Sequence, residues 1–169
     1  LYYSVAQHSV HVADLVNIGR AKLVPKWDWD SDASPAMYGL MHDASEAYLE
    51  DLPRPLKPRM GDYYAIEAAL MEKIISVFGV PMSMAIKEAV RRVDNAMIFL
   101  ERDKLVGKPI VPYSNELDHP RTTIDRVIPE FCVWDAKKAK QEFLDKFAEI
   151  KLWDGNHVPL QYANRGYGF

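Results

Sequence analysis

Between Ser83 and Asp103 apolar residues return every three or four positions, at Ile86, Ala89, Val90, Val93, Met97 and Leu100. That spacing matches the repeat of an α-helix, so the run commits the chain to a helix of about six turns with one covered face. Ser83 is placed to cap its start. One residue disturbs the pattern. Asp94 follows Val93 and lies one turn from Val90, on or beside the apolar stripe. A carboxylate there is costly unless it is paired, hydrogen-bonded or bound to a cation. The helix therefore needs other helices to cover it and a positive partner for its acid.

The same period recurs elsewhere. Ser4 caps a first helix over Val5 to Ile18, with Gln7 three residues on completing a capping-box pattern. Its predicted stripe is Val5, Val12, Leu15, Val16 and Ile18, and Gly19 stops it. Ser34-Pro35 starts a second helix that carries Met37, Leu40, Met41, Ala44 and Ala47 inward, with His42 near its middle. Pro53 and Pro55 end it. Gly61-Asp62 opens a third helix with Ile66, Leu70, Ile74, Ile75 and Phe78 as its stripe, stopped by Gly79-Pro81. Trp134 or Asp135 begins a last helix to about Leu152, with Ala139, Phe143, Phe147 and Ile150 facing in. Residues 20–34 read as a loop, 105–135 as a long loop with a short helix near 122–128, and 155–169 as a strap or frayed tail. With no repeat and no run of alternating strands, the expected class is all-α. The chain reads as a single-domain helical bundle over 1–169, with a motif-bearing core at 1–104 and a C-terminal loop, helix and tail at 105–169.

At 169 residues such a bundle can bury a real core. The formal net charge of −3 and the lack of a dense Lys/Arg run argue against a nucleic acid polymer as partner. The one cysteine, Cys132, rules out an internal disulfide and fits a reducing compartment. No apolar run approaches the length of a membrane span and no secretory leader is visible, so a cytoplasmic location without membrane contact is expected. The chain starts at Leu1 and is already amphipathic by Val5, and further residues are expected before it.

The chemistry concentrates in Met41–Lys57, M-H-D-A-S-E-A-Y-L-E-D-L-P-R-P-L-K. On a helix His42 and Asp43 sit about 100° apart and can lean toward one point, while Glu46 lies one turn beyond His42. His8 on the first helix and Asp94 on the fourth add an imidazole and a carboxylate. Two nitrogens and two oxygens from three helices suit a divalent ion with positions left for water and substrate. Glu46, close by and not itself a ligand, is placed to orient water or pass a proton. Arg54 and Lys57 flank a proline-stiffened loop and could neutralise phosphoryl oxygens, the first as a fork and the second as a point charge. Solvated cations beside a helix end are the equal alternative. His8, His11 and Asp14 make an i, i+3, i+6 polar edge, with His11 outside the single-metal pattern. His119 and His157 read as solvated loop residues. Trp27, Trp29, Tyr48 and Tyr63 could stack on a base or belong to the rim of the core.

Three pieces, S-V-A-Q-H-S-V-H-V-A (4–13), H-D-A-S-E-A-Y-L-E-D-L-P-R-P-L-K (42–57) and V-D-N-A-M (93–97), resemble in that order the HD-domain phosphohydrolases. The local text is similar to the short bacterial and phage members that include 5'-deoxynucleotidases and phage dATP triphosphohydrolases. The likeness spans most of the first hundred residues and leaves about the last seventy without a matching motif. It implies a bundle of the HD type with one divalent metal ion (Co, Mn, Zn, Ni or Mg) on His8, His42, Asp43 and Asp94. It also implies Glu46 as the acid that acts on water or the leaving group, and Asp51 as a contact to the sugar. Gln7 stands where many of those proteins have Glu before the first His. The implied substrate is a small deoxynucleotide. Release of phosphate from deoxynucleoside 5'-monophosphates is the first expectation, and release of triphosphate from a dNTP such as dATP the alternative. Hydrolysis of a cyclic nucleotide, or nucleotide sensing without turnover, are further readings. A homodimer or larger homo-oligomer is expected, because such bundles pair through exposed apolar faces.

Overall fold

Helix α1 (Val5–Gly19) is the axis around which the chain packs. In the computed structural model, which describes residues 3–19, 35–50, 52, 56, 59–107, 128 and 131–152, it contacts α2 (Pro35–Met41), α4 (Met84–Leu105) and α5 (Ala136–Leu152). Helix α2 also meets α4 and α5, and α3 (Gly61–Phe78) touches a short 3-10 turn at Ala44–Ala47. No strand occurs among the described residues, and the architecture is the expected all-α single-domain bundle. Polar caps start three of the helices. Ser4 Oγ accepts from the Gln7 N–H at 3.2 Å, Ser83 Oγ from Ile86 at 3.1 Å, and Asp135 Oδ1 from Lys138 at 2.7 Å. Each occupies an N–H that the helix itself leaves without a carbonyl.

Helix α4 matches its pattern. All six predicted inward residues are buried, together with Ala96 and Phe99, and the helix runs on to Leu105. Helix α1 departs from its predicted single stripe. Val10 and Ala13 join a cluster with α2, Ile74, Ile75 and Ile150, while Val12, Leu15 and Val16 join a second with Val90, Val93, Met97 and Leu100. Covered on two sides, α1 has little wet face, and the polar Gln7, His8, Ser9 and His11 are buried along with its apolar residues. Val5, expected in the stripe, is exposed. Gln7 is satisfied in a different way from the reciprocal half of a capping box. Its Nε2 donates to the Cys132 carbonyl at 2.7 Å and its Oε1 accepts from the Trp134 N–H at 2.9 Å, so one buried amide clamps the segment that leads into α5.

One further expectation needs correction. Helix α3 buries Ile74 and Ile75 near its C-terminal end, but Ile66 and Phe78 of its predicted stripe are exposed, because only part of that face meets the bundle. In α5, Ala139 and Ile150 are buried, and Phe143 and Phe147 pack partly against the core as the pattern requires. Lys146 of the same helix reaches Asp14 of α1 at 2.8 Å. The loop expected at 20–34, the short helix expected near 122–128 (Ile128 apart) and the tail at 155–169 lie outside the described residues.

Candidate metal centre

The second helix stops earlier than predicted, at Met41. His42 and Asp43 form a turn, and Ala44–Ala47 is a 3-10 helix, so His42 follows the helix end and does not sit mid-helix. The imidazole helps to make this end. His42 Nδ1 lies 2.7 Å from the Gly39 carbonyl, one of the last carbonyls of α2, which in a continuing helix would accept from an N–H four residues on. Gly39 also lies close against α1, since a Cβ there would be 3.3 Å from the Ala13 Cα. One glycine thus brings two helices close and presents the carbonyl that orients His42.

A carbonyl only accepts, so Nδ1 carries the proton and donates, and the other ring nitrogen points onward. That nitrogen, Nε2, is buried and has no hydrogen-bond partner. Its neighbours are Asp43 Oδ2 at 3.2 Å and Asp94 Oδ1 at 3.9 Å. His8 Nε2 faces the same pair, 3.3 Å from Asp94 Oδ1 and 3.8 Å from Asp43 Oδ2. Although 3.2 Å is within hydrogen-bond range, the direction is wrong for a bond, and Asp43 leaves Nε2 unsatisfied. Atoms of His8 and His42 face Asp43 and Asp94 from α1, the turn after α2, and α4, and Asp94 lies outside the group of three whose atoms are all mutually close. Bonds of about 2.0–2.2 Å to one cation would place neighbouring ligand atoms roughly 3.0–3.5 Å apart, close to the separations observed. One atom from each of His8, His42 and Asp43 lies within 4.8 Å of the others, and these three could hold a metal ion.

His8 is held by a residue that the sequence pattern did not single out. Glu101 Oε1 lies 2.6 Å from His8 Nδ1, and the Tyr3 hydroxyl donates to the same oxygen at 2.7 Å. The available signal was spacing, because Glu101 follows Asp94 by two helical turns on α4 and shares its face.

Burial works against charge on both imidazoles, but the carboxylates outweigh it. Asp94, Glu101 and Asp43 raise His8 to about 10, and Asp43 and Asp94 raise His42 to about 9. Burial pushes Asp94 and Asp43 upward, and the facing imidazoles more than reverse it, holding both below the usual carboxylate range. Burial and the nearby Glu101 raise the Tyr3 hydroxyl far above its ordinary value, so it remains a donor. Protons therefore balance the acids in the metal-free chain, and a cation would take their place. His11 behaves oppositely. Burial, then the charge of His8, lowers it to about 4. Its ring packs 5.0 Å from Trp134 and 6.0 Å from Phe131, and its Nε2 lies 3.2 Å from the Gln7 amide nitrogen. The predicted polar edge of α1 divides three ways: His8 joins the acids, His11 the aromatics, and Asp14 pairs with Lys146.

Glu46 lies on the 3-10 turn, its N–H donating to the Asp43 carbonyl at 3.0 Å. Three residues per turn align it with Asp43, whereas the α-helical register had aligned it with His42. Asp43 and Glu46 line one cavity of about 590 Å³ together with Ser9, Tyr48, Phe78 and Lys140, a size typical of small-molecule sites. The Tyr63 hydroxyl donates to the Glu50 carbonyl and ties α3 to the chain just after that turn. Asp51, Arg54 and Lys57 lie outside the described residues, as do Trp27, Trp29, His119 and His157.

No family model matches the chain. The uncharacterized protein YfdR of Escherichia coli (strain K12) is 36% identical over 104 residues, covering 62% of this chain and 49% of YfdR. An uncharacterized protein of Rhodobacter capsulatus is 29% identical over 108 residues, covering 62% of this chain and 51% of that protein. The chain spans about half the length of the curated relatives it matches. No solved structure matches it. No helix among the described residues is long and apolar enough to cross a membrane.

Proposed function

We propose that this chain is a divalent-metal-dependent phosphohydrolase of deoxynucleotides that removes the phosphate from deoxynucleoside 5'-monophosphates. The observation that carries the proposal is the buried Nε2 of His42, which has no hydrogen bond and faces His8, Asp43 and Asp94. A buried ring nitrogen that makes no hydrogen bond of its own, turned toward two carboxylates and a second imidazole, is where a cation would be held. The ordered motif, with its resemblance to the HD-domain phosphohydrolases, supports the reaction class. The cavity beside Asp43 and Glu46 supports a substrate of nucleotide size.

His8, His42, Asp43 and Asp94 would be the ligands. A divalent cation there supplies Lewis acidity, drawing charge from phosphoryl oxygens and acidifying water. The remaining tasks fall to the chain. Glu46, projecting from the 3-10 turn beside Asp43, takes a proton from the attacking water or delivers one to the departing 5'-oxygen. Attack forms a new P–O bond, the bond to the 5'-oxygen breaks, and the products are inorganic phosphate and the deoxynucleoside. By the resemblance Asp51 would contact the sugar, and Arg54 and Lys57 have the chemistry to balance phosphoryl charge.

Purified protein with Mn²⁺, Co²⁺ or Mg²⁺, offered dNMPs, dNTPs and cyclic nucleotides with identification of products, tests the proposal. Phosphate released from dNMPs is expected. Triphosphate from dNTPs would move the chain to the alternative reaction, and no turnover with any metal would overturn the enzyme reading. Glu46→Gln should keep the metal and lose roughly 10²–10⁴-fold in rate.

A further inference from the structure

Glu101 has no place in the ligand set, yet it makes a close, charged contact to one of its members. Its Oε1 lies 2.6 Å from His8 Nδ1, on the side of the ring away from Asp94 and Asp43. We propose that Glu101 is a positioning residue that sets the affinity of the centre for its cation, acting through His8. The inference rests on the metal-binding part of the function proposed above.

The argument begins with the proton of an imidazole ligand. To offer Nε2 to a cation, the His8 ring must carry its proton on Nδ1, where Glu101 is placed to accept it. The bond fixes the tautomer and the rotation of the ring, and a carboxylate acceptor makes the far nitrogen more electron-rich. With the His8 and Glu101 side chains only 11% and 16% exposed, water weakens this charged hydrogen bond little. His42 provides an internal contrast. Its Nδ1 is held by the Gly39 carbonyl, a neutral acceptor. The centre therefore has one imidazole backed by a charge and one backed by a peptide group, and His8 is the stronger donor of the two.

Glu101 is itself held in place. The Tyr3 hydroxyl donates to the same oxygen at 2.7 Å, from a residue 98 positions away in sequence. The Tyr3 ring packs 5.6 Å from that of Phe131. These contacts keep the carboxylate against His8 and stop it from turning to solvent. Two turns of α4 separate Glu101 from Asp94, so one helix supplies both an acid facing Nε2 of His8 and the acid behind the ring.

The test measures metal binding and does not depend on turnover. Mn²⁺ and Co²⁺ are titrated by calorimetry into the wild type and Glu101→Gln, which keeps the shape and an accepting oxygen but removes the charge. Glu101→Ala follows, with a thermal melt of each chelated protein to confirm folding. Affinity should fall roughly 10–100-fold in Glu101→Ala, with Glu101→Gln between it and the wild type. The visible absorption of bound Co²⁺ should keep its shape in Glu101→Gln, because the ligands are unchanged. If the wild type binds and Glu101→Gln binds equally well, the positioning role is wrong while the metal centre stands. A changed Co²⁺ spectrum would make Glu101 a ligand and also overturn the role. A wild type that binds neither ion would remove the metal centre, and this inference with it.

Discussion

Cation binding at this centre should be steeply linked to pH. In the metal-free chain His8 titrates at about 10 and His42 at about 9, so both carry an extra proton at neutrality. Asp43 and Asp94 are held below the usual carboxylate range and stay ionised between pH 6 and 8. An arriving cation must displace one Nε2 proton from each imidazole. Each displaced proton makes affinity change tenfold per pH unit, so two give about a hundredfold, or about 2.7 kcal/mol, lost for every unit the pH falls from 8 to 6. Calorimetric titration of Mn²⁺ at pH 7, in buffers of different ionisation enthalpy, counts the protons released, and about two are expected. Titrations at pH 6 and 8 give the affinities. Binding that released no protons would refute the reasoning, since the imidazoles would then already be neutral beside the acids. The same charges set the stability of the chelated protein. A raised imidazole contributes stability that is fully present below 6.5 and is lost as pH rises through 9 to 10. The depressed carboxylates contribute stability that is present above 3.8 and is lost as pH falls through their lowered values. Metal-free protein should melt highest between those limits, and added cation should raise Tm most on the alkaline side.

Two other outcomes follow from the packing. His42→Ala and Asp94→Ala should each abolish the rise in Tm that Mn²⁺ gives the wild type, together with any turnover, and a variant that still responds would place the ion elsewhere. Met97 is fully buried between α1 and α4, so Met97→Ala should cost about 2–5 kcal/mol in a urea melt. A cost well under 1 kcal/mol would mean that α4 does not pack on α1 as described.

Much of the fold was legible because helices repeat. The period over Ser83–Asp103 located α4, its buried face and the acid that did not belong there. Ser4 and Ser83 marked helix starts because a polar cap is a local device, complete within a turn, whereas the last helix could be placed only at Trp134 or Asp135. The His42–Asp43 pair and its distant partners could be collected from residue types alone. Other features stayed hidden. A stripe reports one covered face, so it could not reveal that α1 is enclosed on two sides and that Gln7 and His11 are buried with it. It also misjudged α3, where Ile66 is apolar and periodic yet faces solvent.

Within the site, residue identity and spacing by themselves determined the candidate ligands, since an imidazole or a carboxylate is chosen before any folding occurs. Tertiary structure decided how they are used. The bond from His42 to the Gly39 carbonyl accompanies the helix end at Met41 and moves Glu46 from the register of His42 to that of Asp43. Glu101 gained its role only when α1 crossed α4 and brought residues 93 apart into contact. Local propensity acts over a turn or two, whereas the partner of a buried proton is set by whichever group the packed helices bring against it.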